Sequence, residues 1–462
     1  MKLIKTILLL LVSFPLICQD IIPENGVKST FSPIYAFKNA YLIISAEKEF
    51  KSGTLIIQDD RIIAADSNVI IPEGAIIKDM KGDYIYPSFI DLYSSYGLPK
   101  TLRGEYNYRP QFESKKEGAY HWNESIHPEI NASEKFKYNE KQAKHYLSSG
   151  FGVVLTHHQD GISRGTACLV SLSEEIEEKS IISEKAASCF SFKKGVSRQK
   201  YPNSLMGSVA LINQLFLDAY WYKNAKKTTN LSFNAFNKNI ELPHIFHTNM
   251  MTDYNRIYKI SDEFEIDFIL KGNGKEYQRI NEVKSYNFPI ILPLNFPIKY
   301  KINNPEESDI LTLSKLKHWE TAPFNPKILS QNGIEFSFTM SDIDSPKDFI
   351  KNLRKTIEKG LSKTEALKAL TSTPASLIGE KNNIGTLEKG KKANFIICSD
   401  DIFENGIIYE NWSDGKQNII NEKIKIDLRG YYTWESKHEL KQISITGSLS
   451  KLIISSQFKI RS

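Results

Sequence analysis

The sequence is poor in features that would assign it to a specialised class. Only four cysteines occur in 462 residues, at unrelated spacings, so neither a disulfide framework nor a cluster of zinc-binding thiolates is indicated. A Gly-rich phosphate loop and a Gly-x-Ser-x-Gly elbow are both missing, which removes two common catalytic signatures. Internal repeats and low-complexity segments do not stand out. Long basic tracts are absent too: 60 basic and 54 acidic residues are mixed along the chain, and the net charge of +6 reads as solvated surface. A nucleic-acid partner is not expected.

What is present begins with an ordinary globular composition, 41% hydrophobic and 25% charged, and a length that fits one large α/β barrel with an appendage. Lys2 and Lys5 precede an apolar run from Ile7 to Ile17, and polar residues resume at Gln19, the order of a secretory signal. The run is shorter than the roughly 20 residues of a membrane span. Residues 1–18 are therefore expected to be a cleaved signal peptide, the mature protein to lack a transmembrane span, and the location to be periplasmic or secreted. Lipid anchoring at Cys18 is disfavoured because Ile17 stands where a lipoprotein signal wants a small residue. Cys168, Cys189 and Cys398 then remain.

Within an expected first β-domain part of residues 19–86, residues 34–86 alternate apolar and polar positions in short runs, Tyr41 to Ile44, Gly53 to Gln58, Arg61 to Ala64 and Ala75 to Lys78, with turns at Asp59-Asp60 and Glu73-Gly74. A small antiparallel sheet is expected there. From residue 87 to 375 apolar strands alternate with helical patterns, as repeated βα units do. The strands predicted are Phe89 to Leu92, Gly152 to Thr156, His244 to His247, Asp267 to Leu270, Pro289 to Leu292 and Ile334 to Thr339. Helices are predicted over Lys135 to Leu147, Leu205 to Tyr222, Tyr254 to Phe264 and Lys347 to Lys359, and Ser362 with Glu365 has capping-box spacing. Beyond residue 384, within an expected second β-domain part of residues 376–435, alternation returns at Ile384 to Leu387, Asn394 to Cys398, Gly406 to Tyr409 and Lys423 to Leu428. Residues 436–462 read as further strands, from Gln442 to Ile460, with little left to pair with.

Two segments carry a family resemblance. Lys81-Gly82-Asp83-Tyr84-Ile85-Tyr86-Pro87-Ser88-Phe89-Ile90-Asp91 is similar to the opening strand of metal-dependent amidohydrolases of the imidazolonepropionase-like and prolidase-like kind, where Pro-Gly-Phe-Ile-Asp leads into His-x-His. Gly360-Leu361-Ser362, Ala366-Leu367, Ala369-Leu370-Thr371, Pro374-Ala375 and the run from Ile384 to Asn394 resemble the closing helices and return strand of that superfamily. The resemblance implies an α/β fold, a (β/α)8 TIM barrel with a composite β-sandwich domain formed by both chain ends, and a site at the C-terminal ends of the barrel strands. It also implies a divalent metal such as zinc, which turns bound water into hydroxide, with an Asp moving its proton during hydrolysis of C–N bonds.

On that alignment Tyr93 and Ser95 stand at the two histidine positions and Lys271 stands at a third ligand position, so these ligand positions are degenerate. A phenol, a hydroxymethyl group and an ammonium are poor ligands for a divalent cation. His247 and Asp342 are the remnants, with Asp342 the candidate catalytic proton carrier; direct counting places Ser341 there and a one-residue bulge places Asp342. Two protein ligands hold a metal weakly. A rebuilt site could use His157 and Asp160 of His157-His158-Gln159-Asp160, with His121 or His127 and His247. The loop from Tyr96 to Ser133 sets Tyr106, Tyr108, Phe112, Tyr120, His121 and Trp122 among Arg103, Arg109, Lys115 and Lys116, a mixture suited either to a sugar or peptide or to packing over the barrel mouth. The leading expectation is an exported, catalytically degenerate copy that partners an active amidohydrolase subunit or domain. The alternatives are a C–N hydrolase with an atypical metal site and a carbohydrate- or peptide-binding barrel.

Overall fold

The computed structural model describes residues 32–103, 105, 111–173, 177–225, 228–300, 311–343, 345–423, 428–435, 440–448 and 451–459. The expected signal segment with Cys18, then Tyr106, Tyr108 and Arg109, and most of the predicted strand Lys423 to Leu428 lie outside them.

Strands β1 (Ile34–Ser45), β2 (Lys48–Gln58) and β3 (Arg61–Asp66) form an antiparallel meander, as the alternation predicts. The expectation of a purely antiparallel sheet is corrected by β4 (Ile76–Asp79) and β5 (Tyr84–Pro87), which both pair parallel to β1. The connection from Ser67 to Ala75 brings the chain back along β1, and β4 and β5 then follow one another along the same edge, separated only by residues 80–83. Past the central region the chain returns to this sheet: β14 (Phe395–Cys398) pairs antiparallel with β5, followed by β15 (Ile408–Ser413) and β16 (Lys416–Ile419). Inward residues from both chain ends share one core. Phe37 meets Phe395 and Trp412 edge-on at 5.1 and 5.2 Å, and Phe395 stacks on Trp412 at 5.5 Å. Ile384 to Leu387 is not a strand but a bend; only the Leu387 amide reaches the sheet, donating to Ile44 O at 2.9 Å.

The second sheet holds eight strands in chain order: β6 (Phe89–Ser94), β7 (Phe151–Thr156), β8 (Ser163–Ser171), β9 (Ile181–Ser191), β10 (His244–His247), β11 (Phe268–Lys271), β12 (Ile290–Pro293) and β13 (Phe336–Thr339). Uniform βα alternation is corrected at β8, which runs antiparallel to both neighbours, while every other pair is parallel. Residues 157–162 are too few for a crossover, so β7 and β8 form a hairpin. Both β8 and the C-terminal half of β9 are buried, and this removes the alternation that would mark them in sequence.

Helices lie between the later strands. Leu205–Ala225, Thr252–Phe264 and Pro346–Glu358 match the predicted segments closely. The helix expected from Lys135 starts later, at Glu140, because the Asn139 side chain accepts from Gln142 N and caps it there. The cap at Ser362 forms as its spacing implies, with Glu365 N donating to Ser362 Oγ at 3.1 Å. The terminal strands β17 (Gly430–Glu435), β18 (Leu440–Ser448) and β19 (Lys451–Lys459) pair with one another in a third, antiparallel sheet.

Among the described residues no backbone ladder joins β13 to β6. Side chains link them instead: Asp91 Oδ1 accepts from Tyr93 N and Asp91 Oδ2 accepts from Met340 N, both at 2.9 Å, and Thr339 Oγ1 donates to Tyr93 O at 3.4 Å. Burial pushes the Asp91 carboxyl up to about 6, against the opposing pull of Thr339, the two amides and Lys271.

Candidate functional site

Strand periodicity places the site. Val153 and Leu155 of β7, Ile245 of β10 and Ile269 of β11 pack in one buried cluster, so two further residues along each strand bring His157, His247 and Lys271 to the same side at the C-terminal ends. Tyr93 from β6 belongs to that cluster as well. Because β8 is reversed, its beginning lies at this end and contributes Arg164. Gly165, with φ +82°, makes the local bulge possible: a Cβ there would lie 2.0 Å from Ile130 O.

These side chains form two linked groups. Arg164 Nη1 donates to Tyr93 Oη at 3.0 Å and Arg164 Nε donates to Gly161 O at 3.1 Å. Tyr93 Oη is 2.8 Å from His247 Nδ1. With the guanidinium donating into its oxygen, the phenol is set to donate its own proton to a neutral imidazole. Burial, then the charges of Arg164, Lys271 and Lys193, push His247 down to about 3, which keeps it neutral. In the second group Lys271 Nζ donates to Asp342 Oδ2 at 2.9 Å and to Gly272 O at 3.0 Å. Burial acts to raise the Asp342 carboxyl, but Lys271, His247 and Lys193 outweigh it and hold the group below its ordinary range. The Lys271 ammonium also stands 5.5 Å from the centre of the Tyr93 ring.

His157 is fully buried, with its ring 4.7 Å from that of Tyr93, and neither of its nitrogens has a hydrogen-bond partner. Burial and the nearby Arg164 push its pKa well down. Asp160 does not join it; Asp160 Oδ1 accepts from Val196 N at 2.7 Å in the β7–β8 turn. Ser95 is exposed beyond the end of β6. Ser341 N donates to Thr339 Oγ1, and the next residue, Asp342, is the one that reaches Lys271.

His121, Trp122 and His127 are held by their own loop and its neighbours. His121 is buried, its Nδ1 accepts from Asn123 N, and its amide donates to Ser232 Oγ. Trp122 stacks on His121 and Tyr201 and meets Phe112 edge-on. His127 lies 3.6 Å from Glu129, which Lys116 and Ser232 also hold. Sequence reasoning missed Arg164 and Lys193. Arg164 sits inside a run with no alternation, and its only signal is the adjoining Gly165.

The donor set does not fit a divalent metal. Arg164 and Lys271 bring positive charge to the position where cation ligands are expected, and each holds the oxygen that could have served, Tyr93 Oη and Asp342 Oδ2. Among the described residues no three His, Cys, Asp or Glu side chains gather in a metal-binding arrangement.

Residues 320–422 match the Amidohydrolase family. An amidohydrolase from Thermotoga maritima MSB8 has a similar fold, with 18% identity and a TM-score of 0.65 over 83% of this chain and 99% of that one. A beta-aspartyl dipeptidase from Fervidobacterium islandicum AW-1, solved with a beta-Asp-Leu dipeptide, gives 15% identity and a TM-score of 0.50 over 87% of this chain and 100% of that one. No curated protein matches in sequence. The family match includes the second of the two resembling segments, residues 360–394, and the fold is similar to that of a solved amidohydrolase.

Proposed function

We propose that this protein is an exported, catalytically degenerate amidohydrolase that serves as a structural or regulatory partner of an active relative. The reading includes a closed (β/α)8-type barrel over residues 87–375, a composite β-domain from residues 19–86 and 376–435, and an additional β-unit over 436–462. The observation that carries it is the pairing of Lys271 with Asp342, beside the Arg164–Tyr93–His247 chain. Hydrolysis by this fold depends on a cation that acidifies water. Here an ammonium and a guanidinium occupy the ground that such a cation needs, and like charge makes its entry costly.

The test is direct. The mature chain is incubated with zinc, desalted, and measured for bound metal and for hydrolysis of a dipeptide panel. Metal well below one ion per chain and no turnover are expected. Near-stoichiometric zinc that is lost in His247→Ala would overturn the reading in favour of an atypical hydrolase. The partner role is tested by sedimentation of the chain with a purified active exported amidohydrolase from the same source; two independent boundaries would remove it.

A further inference from the structure

We infer that the charge-inverted end of the barrel binds a carboxylate, held chiefly by Arg164 and His157. The inference rests on the metal-free reading above. Arg164 is 2% exposed, and its hydrogen-bond partners, Tyr93 Oη and Gly161 O, are both neutral. Among the described residues no carboxylate lies within ion-pair reach of it; the nearest acid of the cluster, Asp342, is already engaged by Lys271. A buried cation without a counter-ion is costly, and the usual resolution is a partner of opposite charge.

His157 supplies an independent observation. Its imidazole is completely buried, sits against the Tyr93 ring and leaves both nitrogens without a partner. A neutral imidazole carries one N–H donor that wants an acceptor, and an anion beside Arg164 would provide one. A flat guanidinium fork matches a carboxylate bidentately. The single negative charge of Asp342 nearby disfavours a phosphate dianion over a monoanion.

A cleft opens beyond the ends of β9 and β10, although neither Arg164 nor His157 lines it. This cleft of about 630 Å³ is lined by Phe192 and Lys193 beyond β9 and by Asn249, Met250 and Asp253 beyond β10. Lys193 is exposed there, and its charge acts on both His247 and Asp342. The ligand class is a small organic acid or a peptide C-terminus, with the carboxylate inward.

The experiment measures thermal shifts of the mature chain at constant ionic strength with sodium acetate and N-acetylglycine, against phosphate and chloride, and repeats them with Arg164→Gln and His157→Gln. A saturable rise with both carboxylates, lost in Arg164→Gln and weakened at least threefold in His157→Gln, supports the site. Equal shifts with all anions, or carboxylate binding unchanged in Arg164→Gln, would overturn it. If Arg164→Gln does not fold, the unaltered chain is treated with phenylglyoxal and mapped by mass spectrometry. Protection of Arg164 by N-acetylglycine supports the inference, and modification at an unchanged rate refutes it. Carboxylate binding that appears only after zinc loading would instead sink the metal-free reading, so the two failures are told apart.

Discussion

Lys271 and Asp342 meet at 2.9 Å with unequal exposure: the ammonium is buried, whereas about half of the carboxylate side chain is open to solvent. Removing either partner therefore has different consequences. Asp342→Asn leaves a buried ammonium with Gly272 O as its remaining acceptor, and a loss of about 2–3 kcal/mol is expected in urea unfolding. Lys271→Met leaves a carboxylate that water can reach, and a change within about 1 kcal/mol is expected. Equal losses would show that the pair is not shielded as described.

Acidification should weaken the fold in a defined window. Burial lowers His121 and His244 to about 4, lowers His247 to about 3, and holds His157 well below its ordinary value. Below the ordinary imidazole value near 6.5 the unfolded chain takes up protons that the native chain refuses, so stability falls as pH drops from about 6.5 toward 4. Asp91 opposes this. Its carboxyl titrates near 6 in the fold and near 4 when unfolded, so its contribution is lost as pH rises through the same interval. The six lowered imidazoles, His158 and His318 included, outnumber the four raised carboxyls, Asp91, Asp83, Glu335 and Asp414. Melting curves between pH 7.5 and 4.5 check the sign, and a profile that rises on acidification contradicts it.

The bulge that aims Arg164 depends on Gly165. Gly165→Ala places a methyl against Ile130 O in a conformation unfavourable for L-residues, so a loss of at least about 2 kcal/mol is expected. Carboxylate binding should weaken with it. Wild-type stability with retained binding would show that the backbone there is not constrained.

The aromatic loop is expected to be packing rather than a recognition surface. Trp122→Ala removes contacts with Phe112, His121 and Tyr201 and should cost about 2 kcal/mol while leaving the acetate response unchanged. Loss of the acetate response in a folded Trp122→Ala protein would return the loop to the binding site.

Sequence patterning was sufficient where one face of an element is wet. The β1–β3 meander, the helix Pro346–Glu358 and the Ser362 cap all carry period or capping signals, and each lies where those signals place it. β10 was legible to the residue because charged and polar turns bound a short apolar run. Burial on both sides erased the same information from β8, and with it the direction of the strand and the presence of Arg164. The loss of the histidine pair was visible at Tyr93 and Ser95. What replaced it was not, since the guanidinium that grips Tyr93 lies 71 positions away in sequence and meets it only through the reversed strand.

That reversal also separates two tolerances. Arg164 sits in the bulge between the β8–β9 pairs Ser163–Phe190 and Thr166–Ser188, whereas His157 begins the short link between β7 and β8. Lengthening the link beyond His158 leaves each anchored by its own strand, so natural insertions there could remodel the rim without disturbing either group, whereas a one-residue slip along β8 would carry the guanidinium out of reach of the phenol.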